Sequence, residues 1–339
     1  MIKTAVRRVL DRAMAEGGIP GILVEIREGA GSRSDERKRS PEDRFRIGSI
    51  TKTFTATVLL QLAAENKVRL DDPVGKWLPG LVEGNGHDGD EIPLRRLLDH
   101  TSGIANHTED PEALSEYETY TPRQLVDIAL RRPAAFKAGT DWAYSNTNYV
   151  LAGMIAERVT GRDLAAEIAT RITVPLGLSG TRLPRAGDET LGEPHSRHHT
   201  KLFSPDPAAE IYDATELEPS PYWAAGGMVS TAGDLNRFFG ALLGGRLLPP
   251  EQQRAMFTTI PTKNWLPATT YGLGVSSVTL PDGTELWGMG GALFGSWSYV
   301  YGSRDGGHLL AVNVNGDWTS GPWDDASGVF TDLLVAEFC

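Results

Sequence analysis

Cys339 is the only cysteine among the 339 residues. A single thiol excludes an intrachain disulfide and a zinc cluster built on several cysteines. Positive charge is also scarce, because 33 Lys and Arg face 44 Asp and Glu for a formal net charge of -11. Surfaces that bind nucleic acid or anionic lipid need a basic patch to release counterions or meet head groups. The deficit therefore points away from nucleic acid and membrane, and toward small-molecule or peptide chemistry. No apolar run approaches the roughly 18 residues of a membrane span. The opening MIKTAVRRVLDRAMAEGGIPG sets Val6, Leu10 and Met14 at helical spacing among Arg and Glu, without the apolar segment of a signal peptide. The expectation is a cytoplasmic chain. A G-x-S-x-G elbow and a Walker loop are missing too, which leaves an α/β-hydrolase or a nucleotide enzyme without support.

What is present is ordinary globular composition, 40% hydrophobic and 23% charged, in a chain long enough for one large domain or two packed lobes. Gly21 to Arg27 and Arg44 to Ile47 read as strands around a polar hairpin or loop, 31 to 43. From Gly48 to Lys67 the apolar residues Ile50, Phe54, Val58 and Leu62 repeat every four, with Ala56, Leu59, Leu60 and Ala63 on other faces. A helix apolar nearly all round is a buried helix. Residues 84 to 91 match G-x-G-x-x-G but open onto Ile92-Pro93 rather than a helix, so no dinucleotide site is read there. Helical segments follow at 94–99, 122–132, 147–160, 163–172 and 232–243, with loop chemistry over 173–222. Then the period changes to strand type at 271–280, 285–289, 297–302 and 309–315, separated by Asp282-Gly283 and Asp305-Gly306-Gly307, before a last helix at 324–337. Strands at both ends with helices between them predict an α+β fold. In it, residues 1–70 and 271–339 build one antiparallel sheet flanked by helices, residues 71–270 form a mainly helical lobe, and a cleft lies between.

Three clusters bear on chemistry. Ser49 opens the buried helix and Lys52 follows one turn later on the same side, so hydroxyl and amine can touch. The helix end also presents unpaired N–H groups where an attacked carbonyl would gain negative charge. Taken alone, a helix-capping Ser with a solvated Lys is the plainer reading; the apolar surroundings of this Lys speak against it. Tyr144-Ser145-Asn146 precedes the apolar run 149–155 and alone reads as a buried Tyr with a helix cap. Trp287-Gly-Met-Gly-Gly-Ala292 is a strand whose glycines admit another backbone or a ligand. His195, His198 and His199 lie in a Pro- and Ser-rich loop without a spaced carboxylate, so no metal is expected there.

In this order the pieces resemble the serine β-lactamase and penicillin-binding family, most closely its actinomycete serine DD-carboxypeptidase branch. The likeness runs through Arg44-Phe-Arg-Ile-Gly-Ser-Ile-Thr-Lys52, Leu78-Pro-Gly80, His100-Thr-Ser-Gly103, Tyr144-Ser-Asn-Thr-Asn148, Tyr271-Gly-Leu-Gly274 and Glu337-Phe-Cys339. It implies a β-lactamase/transpeptidase-like fold with Ser49 as nucleophile, Lys52 assisting its deprotonation, and Tyr144 as general base or proton shuttle. Asn146 would hold the acyl-side amide of the substrate, and the N–H groups of Ser49 and Ala292 would form the oxyanion hole. Trp223 and the strand residues Met289, Gly290 and Gly291 would line the cleft, while His100 would be structural. No cofactor and no metal are implied.

One departure matters. Members of this family carry His or Lys, then Thr or Ser, then Gly on the strand beside the nucleophile, whereas this chain has Met289-Gly290-Gly291, and Ser276-Ser277 where the carboxypeptidase branch has an Arg. The resemblance thus implies an acyl-Ser49 intermediate made from an ester or amide and passed to water or an amine, in peptide or natural-product metabolism. An apolar Met289 beside that intermediate would shield it from water. A DD-carboxypeptidase or β-lactamase type of hydrolase is the alternative, and a catalytically silent binding module of the same fold stands behind both.

Overall fold

The computed structural model of the chain describes every residue except 111–117, 205 and 207. Eight antiparallel strands form one sheet in the order Gly31–Arg37, Ile22–Glu28, His308–Val314, Ser296–Gly302, Glu285–Leu293, Ser276–Thr279, Thr269–Tyr271 and Ile260–Pro261. Both ends of the chain supply strands, as expected, and the join is the pairing of Ile22 with Val314 down to Glu28 with His308. Ile22, Val24 and Ile26 alternate onto one face with Leu310 and Val312. The first helix, Thr4–Ala15, and the last, Ala326–Phe338, cover that face with Val6, Leu10, Val329, Phe330 and Leu333, all fully buried. Each such apolar side chain contributes about 1.5–3 kcal/mol on burial.

The other face packs on the helix Ala232–Leu243, and behind that lies the helix Thr51–Ala64, in which eleven of fourteen residues are buried. Apart from Lys52 and Gln61 its polar residues are threonines, and the hydroxyls of three of them reach carbonyls. Thr53 donates to Gly274 at 2.6 Å, Thr55 to Ala224 at 2.8 Å, and Thr57 back to Thr53 at 2.7 Å. Phe54 stacks on Phe238 of the helix Ala232–Leu243 with ring centroids 3.8 Å apart. The nucleophile end of this helix is thus held from both sides of the future cleft.

Three expectations change. The polar stretch 31–43 contains a true strand, Gly31–Arg37, paired with Ile22–Glu28 from Gly31 opposite Glu28 to Arg37 opposite Ile22. Its residues have little strand propensity. Register with the apolar neighbour places it, and ion pairs from Arg33 to Glu337 (2.6 Å) and from Arg37 to Asp11 (2.8 Å) tie it to the flanking helices. The run 44–47 does not join the large sheet; Phe45–Arg46 pairs with Val229–Ser230 instead. Residues 271–280 divide into the ends of two strands, with a tight turn at Gly274 between them. Among the described residues no helix is long and apolar enough to cross a membrane.

Candidate active site

Ser49 sits in the 3-10 turn Gly48–Ile50 that leads directly into the buried helix. Gly48 has a φ of 50°, and a Cβ there would lie 2.6 Å from the backbone nitrogen of Ala292. Across the gap, a Cβ on Gly291 would lie 2.6 Å from the Ser49 nitrogen and 2.1 Å from the Ile47 carbonyl. Only glycine at both places lets the strand Glu285–Leu293 approach the nucleophile turn so closely. The two backbones that approach carry the N–H groups of Ser49 and Ala292, the pair that the resemblance implied as oxyanion donors.

Lys52 Nζ lies 3.0 Å from Ser49 Oγ, 2.6 Å from Asn146 Oδ1 and 2.7 Å from the Ala225 carbonyl. The amine is fully buried, and burial pushes its pKa well below the usual amine range. Deprotonated, it has two N–H bonds and one lone pair. The two carbonyl oxygens take the N–H bonds, so the lone pair faces Ser49 Oγ. Tyr144 Oη is 2.5 Å from Ser49 Oγ. Burial raises this phenol above its ordinary value, with the bond to Ser49 opposing, so it keeps its proton at neutral pH. Its ring stands 4.7 Å from Lys52 Nζ.

The Tyr144-Ser145-Asn146 turn is held from behind by His100. That imidazole accepts the Ser145 N–H and an Asn148 amide N–H on Nδ1, each at 3.2 Å, and its ring lies 4.4 Å from that of Tyr144. His100 touches the scaffold of the site, in keeping with a structural part. His107 lies 3.0 Å from both Thr147 Oγ1 and the Pro221 carbonyl, and burial lowers its pKa to about 4.

In front of Ser49 opens a cleft of about 340 Å³ lined by Ser49, Thr108, Asn146, Tyr222, Ala292 and the apolar group Phe203, Leu293 and Phe294. Among the described residues, none that lines the cleft is charged. The structure thus brings Ser49, Lys52, Tyr144, Asn146 and Ala292 together, and Gly291 beside them.

Three cleft residues expected from the sequence lie elsewhere. Met289 is wholly buried beneath the strand, its sulfur 3.9 Å from Ser276 Oγ, and so does not shield the nucleophile. Strand alternation sends position 290 to the opposite face, where a Cβ on Gly290 would meet the Tyr299 ring at 2.9 Å. Trp223 turns its ring toward Gly153 of the helix Asn146–Thr160, and its neighbour Tyr222 takes the cleft wall. Ser276 is occupied by Tyr301 Oη at 2.6 Å and Ser277 by Thr270 Oγ1 at 2.9 Å. His198 donates to the Gly295 carbonyl at 2.7 Å and His195 lies 3.1 Å from the Gly192 carbonyl. Sequence reasoning missed Thr108 and Asn106, which contact Asn146, and Phe203 and Phe294, whose rings meet at 5.0 Å. The only sequence signal was proximity to the His100-Thr-Ser-Gly103 stretch for Asn106 and Thr108 and to the glycine strand for Phe294, and Phe203 had none.

Residues 6–326 match a family model described as Beta-lactamase. The chain is similar to Penicillin-binding protein 4 of Amycolatopsis lactamdurans, at 28% identity over 334 residues covering 93% of this chain and 82% of the relative. Among solved structures it is similar to a D-stereospecific amidohydrolase from Streptomyces sp., with a TM-score of 0.92 and 44% identity over 100% of this chain and 99% of the other. It is also similar to a D-amino acid amidase from Ochrobactrum anthropi SV3, with a TM-score of 0.85 and 28% identity over 98% and 97% of the two chains.

Proposed function

The chain belongs to the Beta-lactamase family and is a serine hydrolase of that fold, and from that premise we propose that it cleaves neutral amides or esters of D-configured amino acids through an acyl-Ser49 intermediate. The observation that carries the reading is the chain of contacts from Lys52 through Ser49 to Tyr144, set at the foot of a cleft without a charged lining residue. The preference for D configuration is supported by likeness to the Streptomyces amidohydrolase along the whole chain.

In this reading neutral Lys52 accepts the Ser49 proton as Oγ bonds to the substrate carbonyl carbon. The carbonyl electrons move onto oxygen, which the N–H groups of Ser49 and Ala292 stabilise. When the tetrahedral species collapses, Tyr144 gives its proton to the departing amine or alcohol and is reprotonated from Lys52. Water, or an amine, then attacks the ester carbon of acyl-Ser49 by the same steps in reverse and restores the serine hydroxyl.

Among the described residues that line the cleft, none offers a cation to a free carboxylate beside the scissile bond. Charge-assisted hydrogen bonds contribute roughly 1.5–3 kcal/mol each, so lacking two lowers carboxylate selectivity by about a hundredfold or more. The test compares kcat/KM for a D-alanyl-D-alanine peptide and for its C-terminal amide and methyl ester. The neutral forms should be preferred, and a preference for the free acid contradicts the reading.

A further inference from the structure

Asn146 is useful to Lys52 only in one of its two amide orientations, and the outer residues Asn106 and Thr108 dictate which. Asn106 Oδ1 receives the backbone N–H of Asn146 at 3.0 Å and that of Thr108 at 3.4 Å. With two backbone donors aimed at it, this atom is an acceptor. The Thr108 hydroxyl, also 3.0 Å from Asn106 Oδ1, must therefore donate its single proton there. Its lone pairs remain, and the side-chain atom of Asn146 that faces them at 2.9 Å must be the NH₂ group. The other end of the same amide, Oδ1, is then turned to Lys52 Nζ at 2.6 Å.

We propose that Thr108, oriented by Asn106, is a positioning residue that locks the Asn146 amide with its oxygen toward Lys52 and so keeps the Lys52 lone pair free for the Ser49 proton. This rests on the reading of Lys52 as the base. If the amide flipped, its NH₂ group would point at Lys52. A neutral amine can meet that donor only with its lone pair, which would no longer be available to Ser49. A protonated amine would face a second donor and lose an acceptor, so its ammonium form would be disfavoured further. The titratable groups facing Lys52 from the surrounding elements are Tyr144, Tyr149, His100 and His107. Burial raises the phenols and lowers the imidazoles, so all four stay uncharged around neutrality.

The consequence has a direction that loss of packing alone does not produce. Removing the Thr108 hydroxyl should lower the plateau of acylation and also move its acidic limb to lower pH. The experiment measures the single-turnover acylation rate with a p-nitrophenyl ester across pH for wild type, Thr108→Val, Thr108→Ala, Thr108→Ser and Lys52→Ala. Val and Ala are both included so that a folding failure of either leaves the other. The plateau should fall about 10- to 100-fold in both, the scale of one buried amide donor left unpaired. The limb should shift down by on the order of one pH unit, and Ser should restore both. An unmoved limb in Val and Ala, or a failure of Ser to restore it, overturns the proposal while leaving the base assignment standing. An unchanged rate in Lys52→Ala instead overturns the assignment beneath it.

Discussion

In the proposed mechanism Lys52 is the residue on which most of the chemistry turns, and its burial has a cost that can be read in stability as well as rate. In the folded chain its pKa is depressed by burial, whereas in the unfolded chain it holds a proton up to about pH 10.4. Between those two values the unfolded state binds one proton more than the folded state. Stability therefore rises with pH in that window, by about 1.4 kcal/mol per pH unit, and levels off once pH drops below the folded value. In Lys52→Met this slope should vanish. The acceptors left unpaired at Asn146 and Ala225 offset the variant from wild type by a constant that does not alter the slope. Urea unfolding at several pH values between 7 and 10 checks it, and parallel curves for the two proteins would contradict the buried neutral amine. Tyr144 offers the companion prediction. Tyr144→Phe keeps the ring that stacks on His100 and removes only the hydroxyl near Ser49. Loss of a proton shuttle lowers rate by about 100- to 10,000-fold with little change in Tm, and a loss below tenfold would mark Tyr144 as packing.

At the scale of elements, the site is a meeting of one helix end and one strand. The close approach depends on Gly291, where even a methyl group would run into the Ile47 carbonyl and the Ser49 nitrogen. Gly291→Ala should therefore push the Ala292 N–H away from the oxyanion position and lower kcat by about 100- to 1,000-fold, the cost of one oxyanion donor. Gly245, where a Cβ would meet nothing within 4 Å and φ is 70°, serves as the control for glycine replacement remote from the site. Helices with strong periodicity and the Asp-Gly turns were legible because residue type and spacing specify them locally, whereas the Ser49, Lys52, Tyr144 and Asn146 set came from the resemblance to a known family, each cluster alone having a plain structural reading. The edge strand Gly31–Arg37 was not legible. Its polar sequence gives no strand period, and only pairing with Ile22–Glu28 and ion pairs to both terminal helices define it. Tyr222 and Trp223 were exchanged for a related reason, since which of two adjacent aromatics faces a cleft is set by the turn of a short helix, Trp223–Gly226.

For the whole molecule, strands from both ends of the chain meet in one sheet, which Ile260–Pro261 and Thr269–Tyr271 extend, and the middle of the chain supplies Tyr144 and Asn146 beside Ser49 and Lys52. Catalysis therefore needs both parts in register, and Asn106 and Thr108 belong to the lobe side of that agreement. The overall charge of -11 and the uncharged lining of the cleft act in the same direction, against anionic substrates. The central claim is that Ser49 becomes covalently acylated by such a neutral donor. It is tested most directly by intact-mass measurement on acid-quenched protein after mixing with a D-phenylalanine ester, followed by peptide mapping, in wild type and Ser49→Ala. The account predicts a mass gain of one acyl group on the peptide that contains Ser49 in wild type, and none in Ser49→Ala. Full turnover by Ser49→Ala, or an adduct on another residue while Ser49 stays unmodified, would contradict it.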